Sequence, residues 1–523
     1  MTDTSRGRRF LFVMQYPGYL RYFDSTVRAL AARGHHVVVI FDNPHKQAEG
    51  GEALAGVAGV EVLGGRSPAY GDRNWDTVTR AVRGTIDYVR YFHPKFRDAT
   101  YLRDRMRKVV PPIFGFLARR TTSTAGITRA LVTLFTACEH AIPSSPRIER
   151  FIKLRRVDAV LVTPLVTARS RQADYVKSAQ ALGVPVAACI ASWDHLTTKG
   201  LIRVRPDLVS VWNRDQLAEA VEFHGIDPAR IVVTGAQPFD RWFERTPTAR
   251  EQFCRTIGLS PERPLVLFVG STASISAPEA ELHFVRRWIA ALRAEPRLAD
   301  VGILVRPHPY NSTHWLDADF SDLPNVAIYP RGANPVNEGD RQDYFDSLFH
   351  SAAVVGVNTT AMIEAAIVGR TVHSVLAPEF QDTQGGTLHF RYLLAENGGF
   401  LRVARSLEEH ARHVSETVQA PEIGQAACAQ FVERFVRPYG RDVAATPRLV
   451  DALEEMAFTR RPRAKVPRRL RLLQTLLHRA GRIAVNRARR RAGAAIAAHA
   501  QADEAMTVGR GEARADVPTT KAG

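Results

Sequence analysis

Residues 10–41 read FLFVMQYPGYLRYFDSTVRALAARGHHVVVIF and contain a complete strand, helix and strand. The apolar run 10–15 predicts a first buried strand, and the turn residues 16–19 follow it. A helical pattern then continues to Gly34, and the apolar run 37–41 predicts a second strand. Strands that lack alternating polar positions are typical of a parallel sheet covered by helices on both faces. This stretch therefore indicates an α/β domain.

The alternation of short apolar runs and helical patterns extends through two successive series. The first series closes near Gly235, and its later strands are expected at 60–63, 159–163, 184–190, 208–212 and 231–234. The second series has strands expected at 265–269, 301–305, 326–329, 352–357, 372–376 and 400–403. The sequence thus predicts two tandem α/β domains, at residues 1–236 and 237–457.

Two segments depart from this alternation. Residues from about 75 to 141 are rich in arginine and have helical spacing without strand-like runs, which predicts a helical insertion in the first domain. Residues 458–523 form a basic tail, of which we expect the last 30 residues or so to be disordered. The hydrophobic fraction of 45% and charged fraction of 24% exclude a chain that is wholly disordered or fibrous.

The net charge of +18 is concentrated in two segments. Residues 460–523 hold 16 basic and 4 acidic side chains and residues 66–120 hold 13 and 5, so the rest of the chain is close to neutral. In 460–491, an apolar stripe lies opposite arginines and consists of Leu470, Leu473, Leu477 and Ala484, with Leu476 and Ile483 alongside. We expect this basic amphipathic helix to bind an anionic membrane surface, and a solvated tail is the alternative. Nucleic-acid binding is not expected, because 460–491 contains no aromatic residue.

The cysteines indicate neither a zinc site nor a disulfide framework, because they are scattered at Cys138, Cys189, Cys254 and Cys428. The first apolar run is too short for the core of a signal peptide, and no uncharged apolar stretch of about 18 residues occurs. We therefore expect a cytoplasmic protein, which the basic helix would place peripherally at the inner face of the plasma membrane.

Polar residues after strand ends are the candidates for a functional site, because ligands of open parallel sheets bind at the carboxyl ends of strands. The segment Arg306-Pro307-His308-Pro309 directly follows a predicted strand. The guanidinium of Arg306 and the imidazole of His308 could meet a phosphate there. The alternative is an ordinary turn in which His308 has a packing role.

A second candidate is the turn from a predicted strand into a helix at Asn358-Thr359-Thr360. Asn358 or Thr359 can cap the helix, and the free amides with the two hydroxyls would form an anion cradle. Glu364 follows one to two helical turns later, where it could accept hydrogen bonds from a ribose diol. An ordinary helix cap with a solvated glutamate is equally compatible with the spacing.

Weaker signals add further donor-contacting residues. Ser271 and Thr272 follow a strand in a glycine- and serine-rich turn, and Gln384 and Thr387 lie in a polar, glycine-bearing loop. Gly18, in the loop after the first strand, is also predicted to approach the donor.

The loop 192–200 of the first domain concentrates several reactive groups within nine residues. Asp194 and His195 are the best local candidates for a general base, since either could accept the proton of an acceptor hydroxyl. Lys199 could neutralise phosphate charge. The alternative is an aspartate that caps the next turn and a lysine in solvent.

These motifs resemble the GT-B glycosyltransferases, in which two Rossmann-like domains face each other across a cleft. The opening strand and loop followed by Arg33-Gly34-His35-His36-Val37 looks like the first strand, loop and helix of that fold. Arg306-Pro307-His308-Pro309 with Asn358-Thr359-Thr360 is similar to the His-Pro and Ser/Thr pairs of bacterial sialyl-, Kdo- and capsule-type transferases and of CDP-glycerol glycerophosphotransferases. The resemblance extends over about residues 8–457.

The resemblance implies a GT-B fold and transfer of a sugar from a nucleotide-activated donor to a hydroxyl of a cell-envelope saccharide or glycolipid. It implies that His308 and Arg306 contact the donor phosphates, that Thr359 and Thr360 extend this contact, and that Glu364 meets the ribose. His308 would also act catalytically by stabilising the leaving group. No Asp-x-Asp metal motif follows a strand, so we expect no obligatory metal and no cofactor.

Three other functions are compatible with the same resemblance. A glycerophosphotransferase that uses CDP-glycerol would need the same phosphate contacts. A UDP-sugar 2-epimerase is less favoured, because Asn358-Thr359-Thr360 lacks the glycines of that donor turn. A non-catalytic nucleotide-binding protein is the third.

Overall fold

The computed structural model of the chain describes residues 7–47, 54–121, 124–168, 170–331, 337–459 and 461–512. Two parallel sheets organise it. The first sheet has seven strands in the order β3-β2-β1-β4-β5-β6-β7. They are β1 (Arg9–Met14), β2 (His36–Phe41), β3 (Val60–Arg66), β4 (Ala159–Thr163), β5 (Val186–Cys189), β6 (Leu208–Val211) and β7 (Ile231–Val233).

The second sheet has six strands in the order β10-β9-β8-β11-β12-β13. They are β8 (Leu265–Val269), β9 (Gly302–Arg306), β10 (Val326–Ile328), β11 (Ala353–Gly356), β12 (Thr371–Val375) and β13 (Arg402–Ala404). Every predicted strand is present, and its ends differ from the prediction by no more than a few residues. Uninterrupted apolar runs of this length are typical of strands that helices cover on both faces, which is why the runs predicted the strands correctly.

The α-helices of the first domain are α1 (Leu20–Ala32), α2 (Arg73–Arg90), α3 (Thr100–Arg107), α4 (Pro112–Thr121), α5 (Ala125–Ala141), α6 (Pro146–Leu154), α7 (Gln172–Leu182), α8 (His195–Thr198) and α9 (Arg214–His224). Those that follow are α10 (Arg250–Ile257), α11 (Pro278–Ala294), α12 (Thr313–Leu316), α13 (Glu338–Phe349), α14 (Ala361–Ile367), α15 (Leu407–Gln419), α16 (Gln425–Phe431), α17 (Ala445–Phe458) and α18 (Arg471–Glu512).

The predicted helical insertion is present as α2 to α5, and buried charges attach it to the first sheet. Arg83 of α2 donates to Glu139 of α5 at 2.9 and 3.0 Å and to Asp174 of α7 at 2.6 Å. Lys177 of α7 adds a second cation 3.1 Å from Glu139. Three helices are therefore joined through one buried cluster whose charges compensate each other.

The chain passes between the domains twice. After the second sheet is complete, α17 returns to the first domain and packs Leu449, Leu453 and Met456 against the cluster around Phe10 and Phe12. The sequence analysis assigned this helix to the second domain, whereas in the structure it covers the first sheet. An apolar helical pattern shows that a helix is buried but does not show against which sheet.

The carboxylate of Asp240 holds the chain where it returns to the first domain. Asp240, in the outgoing connection, accepts hydrogen bonds from the backbone amides of Ala445 and Thr446 at 2.9 and 2.7 Å. Its Oδ1 is also 3.2 Å from the guanidinium of Arg437. The outgoing and returning chain segments are thus held together at the base of the cleft.

The basic tail forms a helix that packs on the insertion. Helix α18 extends to Glu512, into the segment that was expected to be disordered, and residues 513–523 fall outside the described residues. Leu473 and Leu477 join the apolar cluster of Trp75, Val78 and Val82. Among the described residues, no helix combines the length and the apolar character needed to cross a membrane.

Side chains also join the two domains directly. The indole of Trp193 donates to Thr360 Oγ1 at 3.2 Å, and the Tyr392 hydroxyl donates to Glu219 at 2.6 Å. Trp193 belongs to a buried apolar cluster that continues into the second domain. These contacts bring the carboxyl ends of the two sets of strands to the same cleft.

Candidate active site in the cleft between the domains

A cleft lies where the two sheets meet, and both domains contribute to its wall. The predicted residues on the wall are Arg306, His308, Thr359, Thr360 and Glu364, all from the second domain. They come from the ends of β9 and β11, which are two strands that flank β8. Parallel topology therefore brings together residues that are more than fifty positions apart in the sequence.

His308 is held in a defined orientation with a neutral ring. The backbone amide of Tyr310 donates to Nδ1 at 3.1 Å, so the proton of the neutral imidazole is on Nε2. Burial, together with the positive charge of Arg21, lowers the pKa of His308 to about 4. The side chain can therefore donate one hydrogen bond from Nε2 to a phosphate oxygen at neutral pH.

Gly270 allows the loop after β8 to lie against the loop that carries His308. A Cβ atom added at this position would lie 2.8 Å from the backbone nitrogen of His308. Any larger residue would force the two loops apart. Close packing between the two loops therefore explains why this turn contains a glycine.

Arg306 places a fixed positive charge under the cleft. Its guanidinium donates to Ser347 Oγ at 2.7 Å and lies 4.9 Å from the centre of the Tyr344 ring. Only 7% of the residue is exposed, and burial lowers the pKa of the guanidinium, which stays protonated at neutral pH. This group is preorganised for an anion because its neighbours already restrain it.

Glu364 lies in the first turn of α14, on the same wall of the cleft as His308. The hydroxyl of Tyr344 donates to its Oε2. Burial raises the pKa of Glu364 to about 7, and the hydrogen bond from Tyr344 and the charge of Arg21 oppose that rise only in part. The carboxyl group is therefore close to half-ionised at neutral pH.

Four arginines of the wall were missed by the sequence analysis: Arg21, Arg241, Arg245 and Arg341. With Arg306 they face only two carboxylates of the wall, Asp24 and Glu364, and Asp24 is already paired with Arg28 and Arg241. Arg245 and Arg341 also pair with Glu338, outside the wall, at 2.7 and 3.9 Å. The positive charge that remains favours an anionic ligand. No short motif could have revealed these arginines, because they come from α1, the connection between the domains and α13.

The predicted base candidates lie behind the cleft wall. Ser192 forms part of the wall, and its hydroxyl donates to Asp194 Oδ1 at 2.6 Å. Thr198 occupies the other carboxylate oxygen at 2.8 Å. Although burial raises the pKa of Asp194, the charges of Lys199, His195 and His389 hold it below its ordinary range. Asp194 is therefore ionised and shielded, and neither it nor His195 forms part of the wall.

His195 is buried beside Asp194, and its Nδ1 has no hydrogen-bond partner in the described parts of the chain. Burial lowers the pKa of this imidazole to about 4, and Asp194 opposes that shift. Its neighbour Lys199 is partly buried, and burial lowers its pKa, although Asp194 again opposes the shift. Lys199 is directed to this cluster and not to the cleft wall.

Asn358, Gln384 and Thr387 have structural roles inside the second domain. The Asn358 amide donates to the carbonyl of Thr383 at 2.6 Å, and the Gln384 amide donates to the carbonyls of Val357 and Val375 at 3.1 Å. Thr387 bonds the carbonyl of Gln384. These three residues hold a loop against the ends of β11 and β12, so the geometry does not support them as donor contacts.

The remaining predicted donor contacts also lie off the wall. Ser271 is fully buried, with its amide 2.8 Å from Glu281 Oε1, and Thr272 bonds Ser274. Gly18 lies against Gln47. In the described ranges, no group of three His, Cys, Asp or Glu side chains is arranged to hold a metal ion.

Comparison with known proteins gives matches at the level of fold only. No protein-family model matches the chain. No curated protein matches it either. Solved structures that resemble it include a glycosyltransferase of Rickettsia africae, with 13% identity, 86% of this chain and 98% of that chain covered, and a TM-score of 0.48.

Two further structures have similar scores. The UDP-GlcNAc 2-epimerase of Neisseria meningitidis has 11% identity, with 86% of this chain and 100% of that chain covered and a TM-score of 0.47. The wall teichoic acid polymerase TagF has 11% identity, with 86% and 88% covered and a TM-score of 0.45. The two facing parallel sheets with a crossing C-terminal helix decide the architecture. The fold is GT-B. The predicted residues Arg306, His308, Thr359, Thr360 and Glu364 lie on the second domain, and the arginines of the wall come from both domains.

Proposed function

We propose that this protein is a glycosyltransferase that moves a sugar from a nucleotide-activated donor to a hydroxyl of a cell-envelope saccharide or glycolipid. The observation that carries the proposal is the convergence of His308, Arg306 and the start of α14 on one wall of the cleft. A neutral histidine donor, a restrained guanidinium and the amides of a strand-to-helix turn match the oxygens of a nucleotide phosphate.

In the proposed reaction, the bond between the anomeric carbon and the donor phosphate breaks and a new bond to the acceptor oxygen forms. Negative charge develops on the leaving phosphate, where Nε2 of His308 and the guanidinium of Arg306 would stabilise it. Because both groups are held by the protein before the donor binds, little reorganisation is needed during the reaction. The ionised form of Glu364 would accept hydrogen bonds from the ribose hydroxyls.

The acceptor hydroxyl must also lose a proton. Asp194 and His195 remain the predicted base candidates, and Ser192 is the group of their cluster that reaches the wall. Their lowered pKa values make them weak bases in this arrangement, so the proposal depends mainly on stabilisation of the leaving group. Movement of the domains on donor binding would be needed to expose either side chain.

A donor screen tests this function. Purified protein is mixed with UDP-, CMP-, CDP- and GDP-linked donors, and both the shift in Tm and the release of nucleotide are measured. A nucleotide at about 100 times its Kd should stabilise the fold by about 2.7 kcal/mol. The absence of any shift and of any nucleotide release across the whole set would contradict the proposal.

Glycerophosphotransfer from CDP-glycerol is the second candidate, because five arginines on the wall also suit a phosphoryl group in transfer. In that reaction the acceptor oxygen forms a bond to the phosphorus that carries the glycerol, the bond from this phosphorus to the bridging oxygen breaks, and CMP leaves with that oxygen. Release of CMP from CDP-glycerol, without turnover of any nucleotide sugar, would select this candidate over the first.

We also propose that the protein acts at the inner face of the plasma membrane. The acceptors named above are attached to or assembled at membranes, and the segment 460–491 is strongly basic. An anionic lipid surface would attract this segment, with about 1 kcal/mol for each arginine that comes close to it.

A further inference from the structure

Exposed apolar side chains are concentrated in one region of the molecule. Twelve large apolar side chains are exposed in the described part of the chain, and seven of them lie on α4, α5 and α18. These are Ile113, Phe116, Ile127, Leu134, Leu472, Leu476 and Ile483, with exposed fractions between 40% and 73%. Single exposed apolar residues are ordinary, but a group of this size on neighbouring helices indicates an interaction surface.

Helix α18 is fixed to the protein by its opposite face. His478 lies 3.3 Å from Asp72 and its ring is 5.2 Å from that of Trp75. At Gly481, an added Cβ would lie 2.5 Å from the carbonyl oxygen of Asn74, so this glycine marks a close crossing with α2. The contacts that stabilise α18 thus leave its outward face unused.

The outward face differs from the stripe expected from the sequence. Of the predicted lipid-facing residues, Leu473 and Leu477 pack inside the protein. Leu472, Leu476 and Ile483 instead lie outward at spacings of four and seven residues, which places them on one side of the helix. Two residues of the expected stripe, Leu473 and Leu477, therefore pack on the insertion, whereas Leu476 and Ile483, which were expected alongside it, are exposed.

Positive charge surrounds these outward residues. Arg479, Arg487 and Arg490 follow the same helical spacing and are exposed. The segment 461–502 contains no aspartate or glutamate. This segment combines leucine and isoleucine with arginines and has no acidic side chains to neutralise them. Helices that bind the surface of an anionic bilayer have this composition.

Helix α2, against which α4, α5 and α18 pack, touches the loop that carries the base candidates. Arg90 of α2 donates to the carbonyls of Gly200 and Leu196 at 2.8 and 2.9 Å. The adjacent Tyr91 hydroxyl donates to the carbonyl of Lys199 at 2.7 Å. A surface on this side of the first domain is therefore rigidly connected to the loop 195–200.

We propose that the outward faces of α4, α5 and α18 together form a docking surface for an anionic lipid bilayer. The apolar side chains would enter the boundary between headgroups and acyl chains, and the arginines would lie among the lipid phosphates. The proposal specifies the membrane association proposed above, and it holds whichever group the enzyme transfers. It places the first domain, with its acceptor-side loop, next to the membrane.

Vesicle sedimentation tests the surface with the full-length protein. Vesicles of phosphatidylcholine alone are compared with vesicles that also contain phosphatidylglycerol. Wild type should sediment with the anionic vesicles and stay in solution with the neutral ones. The variant L472Q/L476Q/I483Q should lower the partition coefficient at least about tenfold, because it removes the apolar contact. The single variant Arg487→Gln should lower it about fivefold.

The matched control is L154Q/L316Q, which changes two exposed leucines on α6 and α12 and should sediment like wild type. A second variant, I113Q/L134Q, tests the part of the surface on α4 and α5 and should also weaken sedimentation. The Tm of every variant should equal that of wild type, because the changed side chains are exposed.

Three results would overturn the proposal: equal sedimentation of wild type and L472Q/L476Q/I483Q, equal binding to neutral and anionic vesicles, or retention on an oligonucleotide without binding to either vesicle. Nucleotide release in a lipid-free assay should be the same in wild type and in L472Q/L476Q/I483Q. A failure of the donor screen therefore leaves the sedimentation result unaffected, and the two proposals fail separately.

Discussion

At the scale of single residues, burial shifts the pKa values of two titratable groups of the cleft wall, His308 and Glu364, in opposite directions. It lowers the pKa of His308 to about 4 and raises that of Glu364 to about 7. Both shifts favour the uncharged form, since burial disfavours charge of either sign. The permanent charge of the cleft therefore comes from arginines, and Glu364 is the group whose charge changes near neutral pH.

Nucleotide affinity should depend on pH through Glu364. The ionised carboxylate is the better acceptor for ribose hydroxyls, and its fraction falls as the pH drops through 7. Between pH 8 and pH 6, the affinity for the nucleotide identified in the donor screen should fall about tenfold, as calorimetry can measure. In Glu364→Gln the profile should become flat and the affinity low throughout. An unchanged slope in that variant would show that another group titrates.

Replacement of His308 should affect turnover more than folding. His308→Ala removes one hydrogen-bond donor to the leaving phosphate, which should reduce kcat about 100- to 1,000-fold. His308→Gln keeps an N–H donor and should retain part of the rate. His283→Ala, an exposed histidine on α11, is the matched control. Wild-type kcat in His308→Ala would remove this residue from the proposed mechanism.

The residues that sequence reasoning found are those that directly follow a buried strand. Arg306, His308 and Thr359 were found because the end of an apolar run fixes their position at the edge of the sheet. Asn358 has the same signal, yet its amide is used to hold a neighbouring loop. Position at a strand end can be read from sequence, but the direction of a side chain depends on partners that are distant in the chain.

At the scale of elements, the helical insertion depends on the buried cluster of Arg83 and Glu139. Burial raises the pKa of Glu139, but the positive charges of Arg83 and Lys177 outweigh it and lower the value to about 2, below its ordinary value near 4.5. A depressed pKa in the folded state stabilises the fold at higher pH. This contribution is complete above about pH 4.5 and is lost as the pH falls towards 2.

Replacement of Arg83 should destabilise the insertion strongly. Arg83→Met leaves two carboxylates buried with one remaining cation, which should lower the free energy of unfolding by about 3–5 kcal/mol. Urea denaturation measures this loss. The matched control is Arg80→Met, three residues away on the exposed side of the same helix, which should change stability by less than about 0.5 kcal/mol. If both variants unfolded at the same urea concentration, the structural role of the cluster would be contradicted.

The strands were predictable and the arginines of the cleft wall were not, for one physical reason. A strand buried on both faces needs a local run of apolar residues, which a short window of sequence contains. The wall arginines, such as Arg21 and Arg341, become neighbours only after two domains have packed against each other. Their sequence surroundings are those of ordinary exposed helices, so no local pattern distinguishes them.

At the scale of the whole molecule, Asp240 connects the two crossings of the chain. It accepts hydrogen bonds from both amides at the start of α17 and pairs with Arg437. Because Arg437 is buried, loss of its partner would leave an uncompensated charge. The packing of α17 on the first domain thus depends on this carboxylate.

Asp240→Asn should lower the free energy of unfolding by about 3 kcal/mol or more, measured by urea denaturation. A nucleotide that binds the cleft, as proposed, should restore part of the loss, because it would bind the folded protein alone. Asp442→Asn is the control, since that carboxylate is exposed and lies close to the same crossing. A variant as stable as wild type would show that the second crossing is held by apolar contacts alone.

The return of α17 to the first sheet has a consequence for the order in which the protein is made. The second domain has all its strands and helices once residue 436 has left the ribosome, whereas the first domain still lacks the helix that covers Phe10 and Phe12. Domains generally fold as units during synthesis. The domain that the ribosome starts first is therefore the one that finishes last, and its open apolar face is exposed to chaperones until about residue 457 has been added.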